Sequence, residues 1–404
     1  MPRTQDSERI PDLAANAGSE DPRLDTEGRA KAFEEFAGAA GAIMNPAVAA
    51  WKAQGGRVVG YFCSHVPTEV LTAAGLLPFR MRGTGSTGTE LADAFFSNIN
   101  CSFVRNTFNL ALQGDYDFLD GLVCVSSCDH VRRVYDNWKR NLGTPFLRII
   151  SLPKKVEDAQ VGWYRDEVAI LREAVEKHFE VTISDERLRE AIRLHNRTRR
   201  LQRELYELRK KEAPPLTGAE TLAVMVAGTA MPRQHYNEAL EALLERLRGA
   251  NGQRDYRARL MIVGGELDDP RYLEVIEEQG GLVVTDAVCF GSKAMWNLVD
   301  EEASDPSEAL ARYYIQGQPS CPRMHGDQPR RAAFLMDMVR DFRVDGVVGE
   351  RMMFCDLWCV EHYMNDLDLK EAGVPFIRLD REYNASAKGQ LRTRIQAFLE
   401  TMGK

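Results

Sequence analysis

The chain has 404 residues, 44% hydrophobic and 28% charged, with a formal net charge of −8. That length exceeds one ordinary core and points to two domains, while the acidic balance argues against a nucleic-acid or anionic-membrane partner, which would favour a basic face. No apolar run approaches the roughly 20 residues of a membrane span, and the opening MPRTQDSERIPDLAANAGSEDPRLD lacks the apolar stretch of a secretory signal, so a cytoplasmic protein is expected.

Residues 1–29 read as a polar tail. Residues 30–54 are Ala-rich with helical spacing, and RVVGYFC (57–63) is a short β-rich run ending at a cysteine. A helix follows, opened by Pro67 and stopped by Gly75 and Pro78, and GLLPFRM (75–81) is a second strand. After a glycine-rich loop (83–90), residues 100–114 form a helix with Cys101 at its start. DFLDGLVCVSSC (117–128) is a buried strand running into a loop, HVRRVYDNWKR a helix, and PFLRIISLP (145–153) a further strand. This alternation with short connections implies a parallel sheet covered by helices. Residues 157–212 are charged and helix-periodic, with Ser184 as an N-cap, and PRQHYNEALEALLERLRG is another helix. The α/β pattern returns in RARLMIVGGE, YLEVIEEQG, GLVVTDAVCFG, FRVDGVVGERMMFC, GVPFIRLDREY and QLRTRIQAFLETM. The expected organisation is an N-terminal α/β domain with preceding helices (30–156), a linking helical layer (157–250) and a C-terminal α/β domain (251–404).

Eight cysteines occur: Cys63, Cys101, Cys124, Cys128, Cys289, Cys321, Cys355 and Cys359. In a cytoplasmic protein such thiols are buried fillers, ligands or nucleophiles rather than disulfides. Several fall at the carboxyl ends of expected strands, where open parallel sheets bind ligands. Their spacing matches neither a zinc ribbon nor a dense ferredoxin run, and ligands scattered over about 250 residues imply a centre lodged between domains. Cys124/Cys128 and Cys355/Cys359 are each four apart, which on a helix would align both thiols on one face.

GYFCSHVPTEVLTAAGLLPFR, NCSFVR, SSCDHVRR, LPKK, VDGVVGERMMFCDLW, VPFIRLDREY and QLRTRIQAFLE resemble the benzoyl-CoA reductase / 2-hydroxyacyl-CoA dehydratase family, in the family's order, from about residue 55 to the C-terminus. The resemblance implies two flavodoxin-like α/β domains with a [4Fe-4S] cluster between them, held by three cysteines that fall at Cys101, Cys128 and Cys355. It implies a heterodimer with a homologous iron–sulfur subunit, an ATP-hydrolysing iron–sulfur activator and ferredoxin upstream, with acyl-CoA as substrate and ATP bound only on the partner. A related branch holds a double-cubane [8Fe-9S] cluster with six cysteines, for which Cys63, Cys101, Cys124, Cys128, Cys355 and either Cys321 or Cys359 are available. Cys289 is expected to stand apart.

The phrases look closest to the reductase branch, so the expected activity is ATP-dependent reduction of benzoyl-CoA to a cyclic dienoyl-CoA. A 2-hydroxyacyl-CoA dehydratase subunit or a double-cubane electron-relay protein are the alternatives. Iron–sulfur clusters reach potentials down to about −700 mV, and such a reduction requires a very strong reductant. Electron transfer to a ring must be matched by protonation, and His65 and Glu69, after Cys63, are the acid/base candidates. Asp129 can cap the helix after Cys128. Arg80, Arg82, Arg105, Arg132 and Arg133 are candidates for the phosphates of CoA. Phe95, Phe96, Phe103 and Trp358 line an aromatic pocket or fill a core. The loop at 83–90 lacks the GKS/GKT ending of a P-loop.

Overall fold

The computed structural model describes residues 26–384 and 388–404, so most of the expected polar tail lies outside the described residues. In the first half, α1 (Thr26–Gly41) and α2 (Pro46–Ala53) precede β1 (Val58–Tyr61), α3 (Thr68–Ala73), β2 (Leu77–Arg80), α4 (Ser102–Gln113), β3 (Gly121–Val125), α5 (Asp129–Asn141) and β4 (Phe146–Ile150). Four helices follow: α6 (Asp158–Phe179), α7 (Asp185–Leu208), α8 (Gly218–Ala227) and α9 (Arg233–Arg248). The second half runs β5 (Ala258–Gly264), α10 (Pro270–Glu277), β6 (Gly281–Ala287), α11 (Pro306–Arg312), α12 (Gln328–Asp341), β7 (Gly346–Met352), α13 (Asp356–Glu371), β8 (Phe376–Arg381) and α14 (Lys388–Thr401).

The strands form two four-stranded parallel sheets, ordered β2-β1-β3-β4 and β6-β5-β7-β8. Both follow one plan, the flavodoxin-like 2-1-3-4 order, as expected from the alternating pattern. The inner strands are largely apolar and buried at nearly every position because helices cover both faces. Pro78 sits in β2, an edge strand, where the missing N–H breaks no ladder. The glycine pair ending β5 is steric: a Cβ on Gly264 would lie 2.3 Å from the carbonyl oxygen of Glu350 on β7. That packing explains VGGE without a nucleotide.

Ser184 caps α7 as expected, its side chain accepting from the Arg187 amide. Helices α8, α11, α12 and α13 have no counterpart among the expected elements. Every residue of α8 except Glu220 is buried, so it carries no amphipathic period, and only its Thr217/Glu220 capping box marks it. α11 packs on α6, which carries the chain from the second half back onto the face of the first sheet.

Candidate functional site

Each sheet reverses strand order between its first and third strands, and ligands bind outside the carboxyl ends at such points. Here the two points open on one cleft of about 1000 Å³. The first sheet contributes Phe62 and Cys63 beyond β1 and Ser126–Cys128 beyond β3; the second contributes Gly265 and Glu266 beyond β5, Cys289 beyond β6 and Phe354–Cys355 beyond β7.

Three thiols share one local geometry. Cys101 is the N-cap of α4, Cys128 of α5 and Cys355 of α13, so three helix N-termini meet at the cleft. None of these side chains closes a formal capping hydrogen bond. Burial pushes Cys101 up to about 11 and Cys128 up to about 12, and raises Cys355 as well. The third-position amides of the three helices, Val104, Val131 and Trp358, pull the other way. The thiols also act on one another: after burial, Cys355 is raised by Cys101, Cys128 and Cys321, which places them in one electrostatic neighbourhood. Thiols held protonated by burial become thiolates when a cationic acceptor arrives, and helix N-termini favour that anion.

Three more thiols line the cleft: Cys63, Cys289 and Cys321. Cys63 has φ +79 and Phe354, before Cys355, has φ +65, so two non-glycine residues of the rim adopt left-handed backbone, a strain that gathers at functional sites. Burial raises Cys63 to about 11 and lifts Cys289 too. Cys289, expected to stand apart, is therefore a cleft residue. Cys124 is the reverse: it lies within β3, fully buried in the core around Phe108 and Trp138, and does not line the cleft. Cys359 is exposed on α13, also off the cleft. The four-residue spacing misled because Cys124 is in a strand and Cys128 begins a helix. All eight cysteines are free thiols. Among the described residues no three His, Cys, Asp or Glu side chains close around a single metal-ion position.

His65 and Glu69 are buried but neither lines the cleft. His65 Nδ1 lies 3.6 Å from Cys63 Sγ, and burial, then Lys293, lowers its imidazole to about 3. Burial alone would raise the Glu69 carboxyl, but Arg199 at 2.6 Å, His195 and the Tyr314 hydroxyl outweigh it and hold it at about 2. Glu69 is thus a locked ion-pair residue that ties α3 to Arg199 on α7 of the helical layer, with no proton to give at neutral pH. The carboxylate that does face the cleft is Glu266, which burial raises and Arg80 lowers.

Of the arginines, Arg132 and Arg133 line the cleft and are solvent-exposed. Lys154, Arg323 and His325 join them on that wall. Arg80 is instead a buried link between halves, paired with Glu266 and stacked 3.9 Å from the Phe290 ring centroid. Arg105 is held by Asp93, and Arg82 by the carbonyls of Ala39 and Ala42. Asp129 follows the N-cap and does not occupy it. Phe95, Phe96, Phe103 and Trp358 all line the cleft, joined by two further aromatic residues, Phe62 and Phe354.

The family model for the 2-hydroxyglutaryl-CoA dehydratase D-component matches residues 63–402. The chain belongs to this family, which also takes in subunits of benzoyl-CoA reductase. It is 28% identical to a benzoyl-CoA reductase subunit of Thauera aromatica over 352 residues, 86% of this chain and 91% of that one. It is 24% identical to the (R)-phenyllactyl-CoA dehydratase beta subunit of Clostridium sporogenes, over 86% of this chain and 92% of that one. The beta subunit of the (R)-2-hydroxyglutaryl-CoA dehydratase of Acidaminococcus fermentans is 21% identical, over 88% and 95%. The chain is accordingly an enzyme component of the reductase/dehydratase family. The family match begins at Cys63, and so spans all six cleft thiols of this family member. Among the described residues no helix is long and apolar enough to cross a membrane.

Proposed function

We propose that this chain is the iron–sulfur subunit of an ATP-dependent benzoyl-CoA reductase, working in the cytoplasm with a homologous partner subunit, an ATP-hydrolysing activator and ferredoxin upstream. One observation carries the reading: three cysteines at three helix N-termini meet beside an aromatic wall in a single interdomain cleft. The donor set fits a [4Fe-4S] cluster, because thiolates are the ligands such clusters take and the helix ends offset the negative charge. Cys101, Cys128 and Cys355 would hold it. When bound, the cluster supplies single electrons at low potential.

The chain's own residues supply the rest. The aromatic wall, with Phe95, Phe96 and Trp358, takes an aromatic acyl group out of water, as apolar pockets do. Arg132, Arg133 and Lys154 offer positive charge to the phosphates of CoA. Glu266, raised by burial and facing the cleft, replaces Glu69 as the carboxyl able to hold a proton near the ring. Reduction of benzoyl-CoA consumes two electrons and two protons, so a proton-holding group must face the substrate.

A second reading shares every element of this site: a 2-hydroxyacyl-CoA dehydratase subunit, favoured by relatives whose names are dehydratases. The six cleft thiols also favour a double-cubane centre, held by Cys63, Cys289 and Cys321 with the helix-capping three rather than by Cys124 or Cys359. The deciding experiment is anaerobic purification with iron and acid-labile sulfide counted per chain, followed by assay with activator, ATP and dithionite. About four irons and stoichiometric electron consumption with benzoyl-CoA support the reductase. Turnover of a 2-hydroxyacyl-CoA with catalytic electrons selects the dehydratase, and about eight irons selects the double cubane. A chain that takes up no iron overturns all three.

A further inference from the structure

Arg323 lies between Cys321 and His325 in the loop before α12, only 6% exposed. Its guanidinium reaches into the carboxyl ends of the first sheet and donates to four backbone carbonyls. Nε bonds Ser127 O at 2.5 Å, Nη1 bonds Pro153 O at 2.6 Å, and Nη2 bonds Ser126 O at 2.9 Å and Leu152 O at 2.8 Å. Nearby, the His325 amide donates to Lys154 O at 2.6 Å, so the loop is fastened at two points.

Carbonyls satisfy the donors of a guanidinium but not its charge, and a buried charge without a counter-ion is costly. Two other buried arginines have carboxylates, Arg80 with Glu266 and Arg199 with Glu69, as do the partly buried Arg331 with Glu361 and Arg381 with Glu350. Arg323 has no carboxylate ion-pair partner among the described residues. Arg82 and Arg259 also donate to backbone carbonyls, but neither lines the cleft. Arg323 lines the cleft together with Cys63, Cys128 and Cys321, and its Nε holds the carbonyl of Ser127, the residue before Cys128.

We propose that Arg323 is the built-in counter-charge of the thiolate centre: a positioning residue whose fixed positive charge stabilises the most reduced, most negative state of the cluster. This rests on the iron–sulfur reading above. A cation beside a centre favours its electron-rich state, so the charge sets the reduction potential while the four-carbonyl fork sets the place of the Cys128 loop.

The test is a dye-mediated, EPR-monitored redox titration of the iron-loaded full chain, with Arg323→Gln and Arg323→Lys beside it and thermal unfolding of each. At the wild-type midpoint the ratio of reduced to oxidised centre should fall about tenfold in Arg323→Gln, or 59 mV for one electron. Arg323→Lys keeps the charge and loses the fork, so its melting temperature should fall while its midpoint stays at the wild-type value. Equal shifts in both variants, or no shift in either, overturn the proposal and leave a structural clamp. Should Arg323→Gln not fold, Arg323→Met serves as the neutral variant: a lowered midpoint beside an unchanged Arg323→Lys supports the counter-charge, and an unmoved one overturns it. A wild-type chain that loads no iron overturns the iron–sulfur reading and this inference together, whereas a loaded chain with an unmoved midpoint overturns the inference alone.

Discussion

His130 Nε2 donates to the carbonyl oxygen of Phe354, 3.1 Å away, tying the first turn of α5 to the residue before Cys355. On its other side, Nδ1 accepts from the Cys101 amide at 3.4 Å. One imidazole, two residues after Cys128, therefore links all three cysteine-capped helix starts. His130→Ala should break both links at once. We expect iron occupancy after anaerobic purification to fall several-fold, with stability reduced by about 1–2 kcal/mol for two partly exposed hydrogen bonds. Iron per chain and urea midpoints check this; wild-type occupancy would show that the helix starts hold their register without the imidazole.

The three capping thiols can be removed without spoiling the helices. Serine is a better N-cap than cysteine because its hydroxyl accepts from the second or third amide, so Cys101→Ser, Cys128→Ser and Cys355→Ser should fold with helix content unchanged. Each should lose most of its iron, since serine is a far poorer ligand for a soft metal. Cys124→Ser and Cys359→Ser, off the cleft, should keep full occupancy, although Cys124→Ser places a hydroxyl in a dry core and should cost about 1–3 kcal/mol. Iron and sulfide assays with circular dichroism distinguish the two groups.

The parallel sheets were legible because their strands are largely apolar runs ending at chemically distinct residues. β5 and β6 are buried throughout and stop just short of Gly265 and Cys289. The convergence of cysteines at strand ends could be read the same way. What could not be read is set by contacts distant in sequence. Cys321 enters the cleft because Arg323 fastens its loop to the ends of β3 and β4, 170 to 197 residues back, and no local pattern announces that. Glu69 looked like an acid beside Cys63 until Arg199, 130 positions away, neutralised it. Cys124 and Cys128 follow different periods, strand and helix cap, so equal spacing did not mean a shared face.

Arg80 and Glu266 meet at 3.1 Å between the end of β2 and the loop after β5, joining the two sheets. Arg80 also donates to Cys289 O at 2.7 Å and to the Ser64 hydroxyl at 3.0 Å. Arg80→Met should cost about 3–5 kcal/mol, because it strands a carboxylate that burial already disfavours. Glu266→Gln retains hydrogen-bonding capacity but leaves Arg80, the more buried partner, without its counter-charge, so its unfolding free energy should fall by a comparable amount. If Glu266 also holds the proton required in the cleft, Glu266→Gln should lower kcat with an intact fold. Urea titration and steady-state assay of the same preparations separate the two roles.

Acid should unfold the chain in two steps whose order follows from burial. Burial, before any charge, lowers His362 to about 4 and His65 to about 3, below the usual histidine value of about 6.5. The unfolded chain therefore takes up protons first: the stability these neutral imidazoles contribute is complete above about pH 6.5 and is lost as pH falls through it. Glu69, held at about 2 by the net effect of Arg199 and its other partners against burial, contributes stability above its usual value of about 4.3 that is lost between there and about pH 2. His362→Asn should flatten the pH dependence of unfolding free energy between about pH 6.5 and 4, removing roughly 3 kcal/mol of change across that interval. Glu69→Gln should leave that interval alone, flatten the slope below about pH 4.3, and lower stability at neutral pH by about 3–5 kcal/mol because Arg199 is left buried without its partner. Urea midpoints at half-unit pH steps from 3 to 8 would show the two intervals, and a His362→Asn profile parallel to wild type throughout would mean that this imidazole charges freely in the folded chain.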